Sequence, residues 1–156
     1  KSMTDTALNI MEAAKSENCK LILPCDALVA KDMEKGTSFS EVMIDQIPGD
    51  ALVLDIGPKT IKIISECLAE VNTAVWCGPL GLFELNPFQT GTASVAKEIS
   101  NLTKKNSLTS IAGGGDTVAA LSQSNYNKDF TYISTAGGAF LELLAGESLP
   151  GIEVLK

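Results

Sequence analysis

The residues with the most chemical promise are Gly113-Gly114-Gly115-Asp116-Thr117, placed between a short apolar run and a segment of helical spacing. Consecutive glycines let a backbone approach a ligand closely, and the helix that follows aims its positive end and free N–H groups at the same point. That is an anion site, most naturally for phosphate. Asp116 would repel a bare phosphate, a conflict that disappears when Mg2+ bridges carboxylate and phosphate oxygens. Thr117 adds a hydroxyl. A plainer reading makes Asp116 a helix N-cap and the glycines packing residues. Thr135-Ala136-Gly137-Gly138-Ala139 repeats the design and suggests a polyphosphate, or a phosphate passing between two places. The longer stretch Cys77-Gly78-Pro79-Leu80-Gly81-Leu82-Phe83-Glu84 ends on a carboxylate that can accept hydrogen bonds from a ribose diol. Leu80 and Phe83 can offer an apolar wall to a base. The plainer alternative is a surface Glu and two core residues.

Composition narrows the chemistry further. The 156 residues carry 12 Lys, no Arg and no His, with a net charge of −7. Without His there is no Ser-His or Cys-His couple and no imidazole metal ligand. Without Arg there is no bidentate guanidinium clamp. Anions must therefore be held by backbone N–H groups, helix N-termini, Lys or a metal ion. The acidic balance argues against a nucleic-acid partner. Cys19, Cys25, Cys67 and Cys77 form no C-x-x-C pair and read as reduced thiols. No apolar stretch approaches the roughly 20 residues of a membrane span, and no signal segment opens the chain, so a cytoplasmic location is expected. The first residue is Lys, as expected of a processed chain or of part of a longer one. The dinucleotide fingerprint fails because Val118 stands where the third glycine belongs, and no Walker A motif is present. This disfavours a nicotinamide-dependent oxidoreductase.

Short apolar strands alternating with amphipathic helices must position these loops. The periodicity predicts a helix from Thr4 to Glu17, with Ala7, Ile10, Met11 and Ala14 on one face. Lys20–Pro24 reads as a short buried strand, Ala27–Ala30 as a second short apolar run, and Lys31–Ser40 as an exposed loop or hairpin. Asp50–Gly57 reads as a strand and Lys59–Val71 as a helix with Pro58 in its first turn. Thr73–Trp76 is a strand running into the Cys77–Phe88 loop, and Thr90–Lys104 a helix. Strands at Thr109–Ala112 and Phe130–Ser134 each lead through a glycine turn into a helix, ending near Ser122 and Leu144. The tail from Ser148 to Lys156 reads as a docked extended end. The alternation specifies an α/β domain, Rossmann-like and three-layered, with a mainly parallel sheet covered on both faces. Right-handed crossovers then bring all three glycine-rich turns to one sheet edge.

The ordered set Trp76-Cys77-Gly78-Pro79-Leu80-Gly81-Leu82-Phe83-Glu84, Gly91-Thr92, Ala112-Gly113-Gly114-Gly115-Asp116-Thr117, Ser134-Thr135-Ala136-Gly137-Gly138-Ala139-Phe140-Leu141-Glu142 and Leu149-Pro150-Gly151 resembles the carboxy-terminal half of phosphoglycerate kinases. Leu23-Pro24-Cys25-Asp26 and Asp55-Ile56-Gly57-Pro58-Lys59-Thr60 resemble that family in the same order. The resemblance implies that residues 1–156 are part of a carboxy-terminal nucleotide-binding domain, truncated on its amino-terminal side. The implied reaction is glycolytic phosphoryl transfer between 1,3-bisphosphoglycerate and Mg-ADP, giving 3-phosphoglycerate and Mg-ATP. Carried over by position, Glu84 would hold the ribose. Gly78, Leu80 and Phe83 would line the nucleotide site, with Leu54 near the base. Asp116 would ligate or position Mg2+, while Gly114, Gly115 and Thr117 would meet the phosphates. Gly137 and Gly138, together with Gly114, would stabilise the transferring phosphoryl group.

Two residues depart from the family pattern. Cys77 stands where Asn is usual, near the nucleotide phosphates, and Ala136 where many members have Gly. The family's amino-terminal domain, with its basic phosphoglycerate site, and the lysine-bearing start of its nucleotide domain find no counterpart here. The chain is therefore expected to be inactive alone and to self-associate through exposed apolar faces, whereas the whole enzyme is expected to be monomeric. The rival expectation is a non-catalytic nucleotide-binding or scaffold module of the same fold.

Overall fold

A computed structural model describes residues 3–34 and 36–155. Lys35 of the expected 31–40 loop, Lys156 of the tail and the first two residues lie outside them. The elements in chain order are α1 (Thr4–Ser16), β1 (Asp26–Ala30), β2 (Phe39–Met43), β3 (Leu52–Ile56), α2 (Pro58–Leu68), β4 (Thr73–Cys77), α3 (Thr90–Lys104), β5 (Thr109–Gly113), α4 (Gly115–Gln123), β6 (Tyr132–Ser134), α5 (Gly138–Leu144) and α6 (Pro150–Glu153).

The strands form two sheets of three. β4, β5 and β6 make the expected parallel sheet, in that order, each reached from the last through a helix. The first three strands are antiparallel, with β1 in the middle. The connections explain the difference. Parallel pairing needs a crossover of a dozen or more residues, and only short segments separate β1 from β2 and β2 from β3. The loop-or-hairpin expectation for Lys31–Ser40 thus resolves into the lead-in to β2.

Trp76, Val95, Ala96, Ile99, Leu108, Ala112, Leu121 and Phe130 form the main core, with Ile64 and Leu68 of α2 packed against it. Helices α2, α3 and α4 therefore cover one face of the parallel sheet. The other face carries Val75, Ile111 and Tyr132, aligned across the three strands by their register. Val75 is 48% exposed and Tyr132 58% exposed. A second cluster of Leu28, Ala30, Leu54 and Phe88 joins the antiparallel sheet to the loop after β4.

Helix α2 begins where the sequence places it, and its start is fixed from a distance. The carboxylate of Asp26, on β1, accepts the N–H groups of Lys59 and Thr60, both at 2.8 Å, and the Thr60 hydroxyl at 2.6 Å. That is an N-cap supplied by another element.

Three expected features take a different form. Lys20–Pro24 is not a strand, and Leu21 and Leu23 are exposed, because no neighbouring strand pairs with this segment. No residue of α1 is buried, although its apolar face is present as read. The tail contains the short helix α6 in place of an extended end. No helix among the described residues is long and apolar enough to cross a membrane.

Candidate functional site

The register of the parallel sheet sets Cys77 opposite Gly113 and Gly113 opposite Ser134. All three loops therefore leave the same sheet edge side by side, where open α/β sheets bind ligands. This is the convergence that the loop spacing predicts.

The second loop turns into α4 at Gly114, whose φ of +96° and ψ of 140° suit only glycine. The first intrahelical bond runs from Val118 N–H to the Gly114 carbonyl. Helix geometry therefore leaves the N–H groups of Gly115, Asp116 and Thr117 without an intrahelical acceptor, and they form a positive mouth. Asp116 is exposed beside that mouth, and among the described residues no hydrogen bond or ion pair engages it. Thr117 is buried, and its hydroxyl oxygen accepts the Gly78 N–H at 2.7 Å, which ties the first loop to the second. Its own O–H remains a donor. The third loop repeats the turn at Gly137, with φ +56°, and α5 opens at the exposed Gly138. Phe140 of α5 packs where a side chain at Gly113 would stand, so the second and third loops are in direct contact.

The first loop is held by its backbone to three other segments, α4, α3 and β3. Besides Gly78 on Thr117, Leu80 N–H donates to the Thr92 hydroxyl at 3.0 Å and Leu82 N–H to the Leu54 carbonyl at 2.7 Å. The Gly91 N–H, just past the loop, donates to Asp55 at 2.7 Å. These bonds shape a cavity of about 540 Å³, lined by Leu54, Pro79, Leu80, Leu82 and Asp55 among others. Leu54 and Leu80, which the family resemblance brings to one site, both line this cavity. Phe83 points elsewhere: it is buried and lines a separate cavity of about 310 Å³ with Thr92, Ala120, Gln123 and Tyr126. The apolar wall beside Leu54 is completed by Leu82, which sequence reasoning passed over. In an irregular loop no period tells which of two adjacent apolar residues faces which way. Glu84 is exposed and, among the described residues, unengaged.

The charges here are all negative. The described residues hold no group of three or more His, Cys, Asp or Glu arranged to bind a metal ion. A lone carboxylate such as Asp116 fits Mg2+ in the mode in which one protein carboxylate, substrate phosphates and water share the ion. Asp55 is the one acidic group here with a raised pKa. Burial pushes it up to about 6, against the lowering effect of the Gly91 and Ile56 N–H donors. Cys77 is exposed at the end of β4, and its Sγ lies 3.5 Å from where a side chain at Gly114 would begin.

Comparison with known proteins gives a consistent picture. The family model described as phosphoglycerate kinase matches residues 1–147. The phosphoglycerate kinase of Methylorubrum extorquens is 50% identical over 156 residues, and that of Rhodopseudomonas palustris 49%, each covering all of this chain. The chain spans 39% of the length of these relatives. Among solved structures, phosphoglycerate kinase from Coxiella burnetii superposes with a TM-score of 0.91 at 37% identity, covering 100% of this chain and 39% of its own. The Pyrococcus horikoshii enzyme gives 0.72 at 27% identity, over 98% of this chain and 38% of its own.

Proposed function

Since the chain belongs to the phosphoglycerate kinase family, we propose that residues 1–156 form part of the carboxy-terminal domain of such an enzyme and hold its nucleotide. The observation that carries the reading is the alignment of Cys77, Gly113 and Ser134 at one sheet edge. It brings two glycine turns and a lone carboxylate to the sheet edge from which the cavity-lining loop also leaves.

In this reading the purine lies against Leu54, Leu80 and Leu82, with Phe83 supporting the loop from behind. Glu84 accepts hydrogen bonds from the ribose hydroxyls. The N–H groups of Gly114, Gly115 and Thr117 receive the phosphates, with Gly78 lining the site. Asp116 is the residue that would hold Mg2+, whose chemistry there is to neutralise charge on the phosphate oxygens. In the transfer, a terminal phosphate oxygen of ADP displaces the carboxylate of 1,3-bisphosphoglycerate from phosphorus, giving ATP and 3-phosphoglycerate. Negative charge spreads over the passing phosphoryl oxygens, and the N–H groups at Gly137 and Gly138 face it as fixed donors. One such donor is worth about 3 kcal/mol where it is aligned with developing charge.

The three loops contain no Lys and the chain no Arg, so the cationic part of the stabilisation and the phosphoglycerate site belong to residues outside this chain. Alone, it binds Mg-ADP with little or no turnover. In this reading the protein works in the cytoplasm, where glycolysis runs. Isothermal titration with Mg-ADP tests the reading. Wild type is expected to bind in a Mg-dependent manner and Asp116→Ala at least tenfold more weakly; equal heats would remove Asp116 from its role. A second reading, a binding module without chemistry, draws on Cys77 in place of the family's usual Asn. Turnover on adding the amino-terminal part of a relative would exclude it.

A further inference from the structure

We propose that Asp55 is a positioning residue whose carboxylate locks the first loop and the opening turn of α3 onto β3, and so sets the wall that Leu80, Leu82 and Glu84 present to the ligand. The assignment of that wall to a ligand rests on the nucleotide reading given above.

Asp55 is 2% exposed. One carboxylate oxygen accepts the Gly91 N–H at 2.7 Å and the other the Ile56 N–H at 2.9 Å. Gly81, in the loop, and Gly91, in α3, both leave their side-chain space to it. A Cβ at either position would lie 2.2 or 2.3 Å from the same carboxylate oxygen. Two chain segments thus close on one buried charge, and Leu80 and Leu82, which line the cavity, flank the first of the two glycines.

Among the described residues no cation pairs with that charge. The charged groups on the elements packed against β3 are Asp26 of β1, Glu84 of the loop and, past the first turn of α3, Lys97, Glu98 and Lys104. Among the described residues none of them is ion-paired to Asp55. The carboxylate is held by N–H donors alone, and a charged acceptor holds them about twice as strongly as a neutral one. Against a loosened state in which the carboxyl stays buried, the N–H donors favour the charged form, so the lock is firm at pH 7.5 and slackens as the carboxyl, its pKa raised by burial to about 6, gains a proton. A protonated carboxyl also turns one acceptor into a donor, facing N–H groups that need acceptors.

The test joins amide hydrogen exchange of the free chain to Mg-ADP titration, for wild type and Asp55→Asn, between pH 5 and 8. At pH 7.5 the variant should exchange the Gly91 and Leu82 amides at least tenfold faster and bind Mg-ADP at least tenfold more weakly. Its unfolding midpoint should be no lower, since a buried charge has been removed. In wild type, both amides, corrected for intrinsic rates, should loosen and affinity should fall with a midpoint near pH 6. Asp55→Asn should show only the nucleotide's own protonation. A variant that loses stability and affinity in parallel would reduce Asp55 to a structural group and overturn the proposal. So would a wild-type pH profile matching the variant's, or a lock seen in exchange with no effect on binding. If wild type fails to bind Mg-ADP at every pH, the nucleotide reading falls, and the lock stands or falls on the exchange data alone.

Discussion

Asp26 and Asp55 are both buried, on neighbouring strands, and respond to pH in opposite directions. For Asp26, burial raises the pKa, but the Thr60 hydroxyl, the N–H groups of Lys59 and Thr60 and the Cys25 thiol together carry it below 3.8. Its contribution is therefore present above its unfolded value and is lost as pH falls through the lower folded value. Asp26→Asn should cost about 1–3 kcal/mol at pH 7, a difference that urea unfolding should show vanishing toward pH 3. Asp55 titrates in the folded state near 6 against an ordinary 3.8, so its contribution is complete below the unfolded value and lost as pH rises through 6. The stability of wild type relative to Asp55→Asn should therefore fall between pH 4 and 8. The fall should be roughly 3 kcal/mol, as follows for a carboxyl that holds its proton to a pH about two higher when folded than when unfolded. Thr117→Val leaves the Gly78 N–H without its acceptor, and denaturation should register a loss of about 1–3 kcal/mol.

Among the elements, the parallel strands and the helices they feed were legible in the sequence because each carries a local signature. Pro58 marks the first turn of α2, and the Gly113–Thr117 run marks the passage from β5 to α4. What was not legible depends on partners far along the chain. Leu21 and Leu23 have the composition of a buried strand, yet a strand needs a neighbour, and composition says nothing of that. Leu82 and Phe83 differ by one position in a loop whose direction is set by Leu54 and Gln123. Asp55 looks like any residue of β3 until Gly81 and Gly91 are seen closing on it. The mouth of α4 offers a test at this scale. Gly114→Ala forces a side chain into a backbone conformation costing about 1–3 kcal/mol. It should weaken Mg-ADP binding by more than it lowers the unfolding midpoint if α4 tilts at its entry; calorimetry beside thermal melting would read both.

At the scale of the whole molecule, one face of the parallel sheet is largely uncovered, and among the described residues no strand pairs with the outer edge of β4. Val75, Ile111 and Tyr132 form an apolar stripe across that face, while Leu8, Ile10 and Met11 of α1 are exposed. Such surface invites association. Sedimentation at micromolar concentrations should show species larger than one chain, and the double change Val75→Lys with Tyr132→Lys should shift the distribution toward the monomer. The wiring of the first loop has a consequence for biosynthesis. Gly78 leans on a hydroxyl 39 residues further along, and no local turn substitutes for it. On the ribosome, the segment from Gly78 to Glu84 thus waits for Thr117 to emerge before it takes its final form, well after the strand that leads into it has been made.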